Sequence, residues 1–231
     1  MRERPILFKG PMVRAILDGT KTQTRRVVKF SSWPEYESQQ DKHRIYKEAF
    51  QVRDGGWGWL SGADPEGRFT KFLIDDPGKR CPYGDVGDRL WVRETFSLLN
   101  ANYIPVEGRN PLFTHVSYRA DHIDKDGDGP AHPMKWRPSI FMPRWASRIE
   151  LEVTEIRALR LQDISEEDAE AEGAMTWWNG LSQEEQFGMY DGGRGPIAAF
   201  RMLWDSINAK RVVGWDTNPW VWAVSFRRVK P

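Results

Sequence analysis

Residues 149–160 set the strongest constraint on the fold. Ile149, Leu151 and Val153 alternate with polar neighbours, the period of a strand with one buried face, and this is the clearest long strand in the chain. Another strand signal closes the sequence at 220–229, and shorter ones fall at 5–8, 22–28, 89–95 and 114–120. Helical spacing recurs at 11–17, through Met12, Val13, Ile16 and Leu17, and at 196–208, through Ile197, Phe200, Leu203, Trp204 and Ile207. A third helix is expected over 165–172. Ser165 and Asp168 form a capping-box pattern there, with Asp in place of the usual Glu or Gln, and Gly173 ends the helix. Strands and helices do not alternate in a βαβ rhythm. The expected fold is therefore α+β: a mostly antiparallel β-barrel with flanking helices, its first and last thirds side by side.

A chain of 231 residues fits one domain, 1–231, with a core that needs no disulfide or metal. The texture changes at 30–79, where Trp33, Trp57 and Trp59 sit among Gly, Asp, Ser and Gln; an irregular insertion with one hairpin is expected. Further insertions are expected at 100–136 and 177–195. The lone Cys81 forms no internal disulfide and points to a reducing compartment. The apolar run at 6–8 is far too short for a membrane span or a signal-peptide core. A cytoplasmic protein with no membrane partner is expected. Net charge is +1, from 34 basic and 33 acidic residues, which argues against bulk capture of long duplex DNA and favours a small ligand. Most of the 12 Trp are expected in the core, although such rings also offer flat surfaces on which bases stack.

The densest cluster of chemistry is Gly19-Thr20-Lys21-Thr22-Gln23-Thr24-Arg25-Arg26, between a helix end and a strand. Strand alternation places Thr22, Thr24 and Arg26 on one face and Gln23 and Arg25 on the other, with Lys21 at the turn. A Lys whose pKa is lowered by burial can take the proton of a nearby Thr hydroxyl. The same residues also suit a solvated basic turn followed by strand-forming threonines.

The helix followed by these residues resembles the ASCH domain of the PUA-like superfamily of small β-barrels. That family carries a Gly-x-Lys-x-x-Thr-x-Arg signature after its first helix, matched here by Gly19, Lys21, Thr24 and Arg26. Gly87-Asp88-Arg89-Leu90-Trp91-Val92 is similar to the family's Gly-Asp-x-Leu-x-Val strand, and the later strands and helix follow in the family's order. The whole chain also resembles larger ASCH-type proteins of bacteriophages and prophages. The resemblance implies binding of RNA or modified bases. It also implies a second activity, because small bacterial members remove the acetyl group of N(4)-acetylcytidine with a Lys, a Thr and a Glu. Lys21 and Thr24 match the first two, and the register of the acidic helix makes Glu172 the third. Thr24 would then be the nucleophile, Lys21 its base, and Glu172 the group that orients the pair or handles the leaving-group proton. Arg26 would hold developing negative charge or a phosphate. A slip in that register nominates Glu170, and Glu94 is a third carboxylate candidate. A binding groove would add Arg25, Arg26 and Arg93, and Glu94 would face the ligand.

Other signals are weaker. Residues 124–129 begin like a calcium loop, but Lys135 stands where the bidentate Glu belongs. His43, His115, His122 and His132 lack metal spacing, and one Cys supports no zinc site. Gly192-Gly193-Arg194-Gly195 precedes a helix without the Gly-Lys-Ser/Thr of a P-loop. Nothing in the sequence requires a cofactor. The readings left open are a module that binds a modified nucleoside or RNA, an amidohydrolase acting on an acylated cytosine, RNA cleavage, and an interaction protein without chemistry.

Overall fold

A computed structural model describes residues 1–29, 46–51, 57–61, 81–99, 115–122, 135–189, 193–211 and 213–229. The chain enters as β1 (Glu3–Leu7) and turns into α1 (Gly10–Leu17). Pro11 sits in the first turn, where a missing N–H breaks no helical bond. Met12, Val13, Ala15 and Ile16 are the buried face of α1. Gly19 then takes a left-handed turn at φ +78°, a conformation that suits glycine, and β2 (Gln23–Val27) begins.

The hairpin expected in the first insertion is β3 (Tyr46–Gln51) against β4 (Trp57–Ser61); the rest of 30–79 lies outside the described residues. Next come β5 (Arg89–Arg93) and the antiparallel pair β6 (Phe96–Leu99) and β7 (His115–Tyr118). The strand at 149–160 is β8 (Glu150–Arg160). It leads to α2 (Glu166–Ala171), α3 (Ala174–Asn179), α4 (Gln183–Met189), α5 (Gly195–Asn208) and the closing β9 (Trp220–Val229).

Five strands form the main sheet, in the order β1-β5-β8-β9-β2. Every pairing is antiparallel except β1 with β5. The first and last thirds do meet: β2 pairs with β9 from Gln23 opposite Ser225 to Val27 opposite Val221. The two edges, β1 and β2, share no ladder among the described residues. Instead Arg26 Nη2 on β2 donates to the Leu7 carbonyl at the end of β1, at 2.8 Å. In a flat five-stranded sheet those edges would stand roughly 19 Å apart, beyond any side chain, so the sheet must curl strongly along its twist. The architecture is thus α+β, with a mostly antiparallel sheet whose edges are bridged by one guanidinium.

β9 lies between β8 and β2, and its first half is buried on both faces. Trp222, Val224 and Phe226 pack with Ile6, Val13, Ile16, Leu90 and Leu151, while Val221 packs with Leu161, Ile164, Phe200 and Trp204 on the helical side. The stretch 177–195, expected as an insertion and carrying the loop-like sequence Gly192-Gly193-Arg194-Gly195, is largely helical where it is described: it includes the end of α3, all of α4 and the start of α5. Ala174, Trp177, Trp178 and Leu181 recur at helical spacing, and Trp177 packs into the main core.

Candidate functional site

The site forms where α2 ends against the start of β2. Ser165 caps α2 by accepting the Asp168 N–H, at 3.1 Å, and Gly173 turns the chain away at φ +73°. That turn lays the backbone beside β2: the Thr22 N–H bonds to the Ala171 carbonyl at 2.8 Å, and Lys21 and Glu172 form an isolated antiparallel bridge. A Cβ on Gly173 would lie 3.2 Å from both the Ala15 and the Lys21 Cβ. Gly173→Ala should therefore lower stability by about 1–2 kcal/mol from the left-handed backbone alone. Urea unfolding would show a lower midpoint with an unchanged slope.

Lys21, Thr24 and Glu172 are each 3% exposed. Lys21 Nζ donates to Glu172 Oε2 at 2.8 Å, to the Glu172 carbonyl at 2.6 Å and to the Gln23 carbonyl at 2.7 Å. Three acceptors meet the three N–H groups of an ammonium. Burial nevertheless pushes the Lys21 pKa below its ordinary value; Glu172 opposes that shift, and Arg26 and Arg25 add to it. The Glu172 carboxylate also faces Arg25, whose Nη1 stands 3.4 Å from its second oxygen.

Arg25 is committed to the interior and does not face a groove. Its Nη2 donates to Asp168 Oδ2 at 2.6 Å, its Nη1 to Gln23 Oε1 at 2.5 Å, and the guanidinium lies over the Phe200 ring. Asp168 Oδ1 accepts from Arg157 Nη2 at 2.8 Å and from Gln23 Nε2 at 3.1 Å. Burial opposes ionisation of Asp168, but bonds from Arg157 and Gln23 and the Arg25 charge outweigh it and hold the carboxyl below its usual range.

Thr24 lies on the strand face opposite Gln23 and Arg25, as alternation requires. Its hydroxyl has no hydrogen-bond partner among the described residues. The Gln23 carbonyl that Lys21 grips belongs to the peptide leading into Thr24. Arg26 shares that face, and both its guanidinium and Lys21 Nζ lie over the Phe8 ring, at 5.2 and 5.7 Å.

The remaining candidates separate. Glu170 is exposed, which leaves Glu172 as the carboxylate that meets Lys21. Arg93 stacks on Trp91, 4.6 Å away, and donates to the Ile140 carbonyl. Glu94 is buried beyond the end of β5 and is clamped by Arg148 through both oxygens, at 2.9 and 3.0 Å. Burial raises the Glu94 pKa against the pull of Arg148. Neither Arg93 nor Glu94 touches Lys21, Thr24 or Glu172.

The sequence alone did not single out Gln23, Asp168, Arg157 or Phe8 as parts of one site. The available signal was the i, i+4 spacing of Asp168 and Glu172, which puts both on one helix face. A cavity of about 220 Å³ lies between α3 and α5, lined by Met175, Trp178, Met202 and the Gly193-Arg194-Gly195 turn, away from Lys21. His122 Nε2 sits 3.3 Å from Ser117 Oγ, and among the described residues no three His, Cys, Asp or Glu are placed to share a metal ion. The calcium-like stretch at 124–129, His43 and His132 lie outside the described residues. Comparison with protein-family models, curated proteins and solved structures finds no match to this chain.

Proposed function

We propose that the chain binds a nucleobase-containing ligand, a modified nucleoside or RNA, around Lys21 and Thr24, and hydrolyses an N-acyl group on cytosine there. One observation carries the reading. The buried Lys21–Glu172 pair grips the peptide leading into Thr24, whose hydroxyl is unpartnered among the described residues. In this reading a Lys21 proton first passes to Glu172 across their 2.8 Å bond, a step that the low Lys21 pKa favours. Thr24 Oγ adds to the acyl carbon while its proton goes to the freed Lys21 amine. The C–N bond then breaks, and Glu172 returns its proton to the departing cytosine nitrogen. Water hydrolyses the acyl-threonine, and Arg26, on the Thr24 face, steadies the developing oxyanion.

The sheet whose edges Arg26 bridges suits a PUA-like barrel, and we place the chain with the ASCH domains on its Gly19, Lys21, Thr24 and Arg26 motif. The one cysteine, Cys81, is free and buried, which suits a reducing, cytoplasmic setting.

A second reading, an RNA-binding or RNA-cleaving module without amidohydrolase activity, draws support from the three acceptors around Lys21. They favour an ammonium that holds structure over an amine that takes a proton. Release of acetate and cytidine from N(4)-acetylcytidine separates the two. Turnover by the native protein that falls about 10²–10⁴-fold in both Thr24→Ala and Lys21→Ala is the expected result. Binding of the nucleoside without turnover would favour the second reading, and neither binding nor turnover would sink both.

A further inference from the structure

Asp168 occupies the third position of α2, where a capping-box side chain reaches back to the N-cap backbone. It does not do so here. Its N–H takes the Ser165 hydroxyl, and its carboxylate turns inward to Arg25, Gln23 and Arg157. Asp is one methylene shorter than the Glu or Gln usual at this position, so the departure from the ordinary pattern has a structural counterpart.

Five charges alternate in sign through the site: Arg157, Asp168, Arg25, Glu172 and Lys21. The spacing along them is uneven. Arg25 is 2.6 Å from Asp168 but 3.4 Å from Glu172, while Glu172 is 2.8 Å from Lys21. The Arg25 side chain has no exposure to water, so its charge must be matched by whichever carboxylates are in reach. Only Asp168 and Glu172 are within reach among the described residues. Gln23 bonds to both Arg25 and Asp168 and fixes their separation.

We propose that Asp168 is a positioning residue for the Lys21–Glu172 pair: by holding Arg25, it keeps that guanidinium from taking both oxygens of Glu172 and reserves one of them for Lys21. This rests on the reading of Lys21 and Glu172 as the working pair, but its test needs no substrate. Without the Asp168 charge, Arg25 closes on Glu172, and Lys21 keeps a weakened partner. The charged groups facing Lys21 are Glu172, Arg25 and Arg26; those facing Asp168 are Arg25 and Arg157.

The test is a double-mutant cycle read at Lys21 itself, by NMR of the lysine side-chain nitrogen as a function of pH in the full chain. Asp168→Asn should lower the Lys21 midpoint by about one pH unit, a tenfold change in proton affinity. In an Arg25→Gln background the same substitution should leave the midpoint unmoved, because the guanidinium it restrains is gone. An equal shift in both backgrounds, or none in either, overturns the proposal. If Asp168→Asn does not fold, Asp168→Glu replaces it. Glu has the length to turn back toward the N-cap and release Arg25, so the same shift is expected with Arg25 present and none without it. Failure of the nucleoside reading appears separately, as absence of N(4)-acetylcytidine binding and turnover in the native protein.

Discussion

Glu172→Gln is expected to lower the unfolding free energy at pH 7 by about 3–5 kcal/mol, because it leaves Lys21 buried without its counter-ion. The substitution is nearly isosteric, so the loss is electrostatic and not a matter of packing. The remaining acceptors of Lys21 are carbonyls, and its nearest charges, Arg25 and Arg26, are both positive. The pH dependence identifies the cause. In the folded native protein the Lys21 pKa already lies below its unfolded value, and removing the Glu172 charge lowers it further. Between that lowered value and about 10.4, the unfolded chain holds a proton that the folded chain lacks, so stability rises with pH across that window. The deficit of Glu172→Gln relative to native should therefore shrink as pH is raised. Urea unfolding at pH 7 and pH 9 measures it; a deficit that does not change with pH would assign the loss to something other than Lys21. The double substitution Lys21→Met, Glu172→Leu should recover most of the loss, since a buried pair replaced by apolar groups of similar volume is close to neutral.

The strands were legible where one face is buried and alternation runs long. β8 and β9 lie where Ile149, Leu151 and Val153 and the closing run put them, because burial enforces the period. The parallel pairing of β1 with β5 was not legible. Two five-residue strands fix no partner by themselves, and this pairing depends on contacts across some 86 positions. α3 was hidden for a different reason: Trp177-Trp178 beside Gly-rich sequence suggests an exposed loop, although Ala174, Trp177, Trp178 and Leu181 carry a helical period.

Within the site, the facing of β2 followed from its alternation, and Gln23 and Arg25 do share a side. The partners that decide what those side chains do lie far off in sequence. Arg25 meets Asp168 across 143 positions, and Lys21 meets Glu172 across 151. A resemblance supplied Glu172; the i, i+4 spacing that puts Asp168 on the same helix face is masked by the capping-box pattern, which by itself accounts for an Asp there. Glu94 was misleading in the opposite way. It continues the alternation of β5 and so suggested the same interior as the site, but its burial is matched by an arginine 54 positions on.

That arginine carries the other large effect. Arg148 donates to both oxygens of Glu94 and both of Asp121, and its guanidinium lies 3.9 Å over the Tyr118 ring. Glu94 is 2% exposed, so Arg148→Met should strand a buried carboxylate and lower stability by about 3–5 kcal/mol at pH 7. The sign of its pH dependence is opposite to that of Glu172→Gln. The folded pKa of Glu94 already stands above its ordinary value because of burial, and loss of Arg148 raises it further. Between about 4.3 and that raised value, the folded chain holds a proton that the unfolded chain lacks, so stability falls as pH rises through the window. The Arg148→Met deficit, taken against native protein at each pH, should thus be smaller near pH 4.5 than near pH 7.5. Adding Glu94→Gln should remove most of that slope. The Lys21 midpoint should stay where it is, since neither Arg148 nor Glu94 touches the Lys21–Glu172 pair. Movement of that midpoint in Arg148→Met would mean that the two buried clusters are coupled through the sheet, and would return Glu94 to the site from which its contacts separate it.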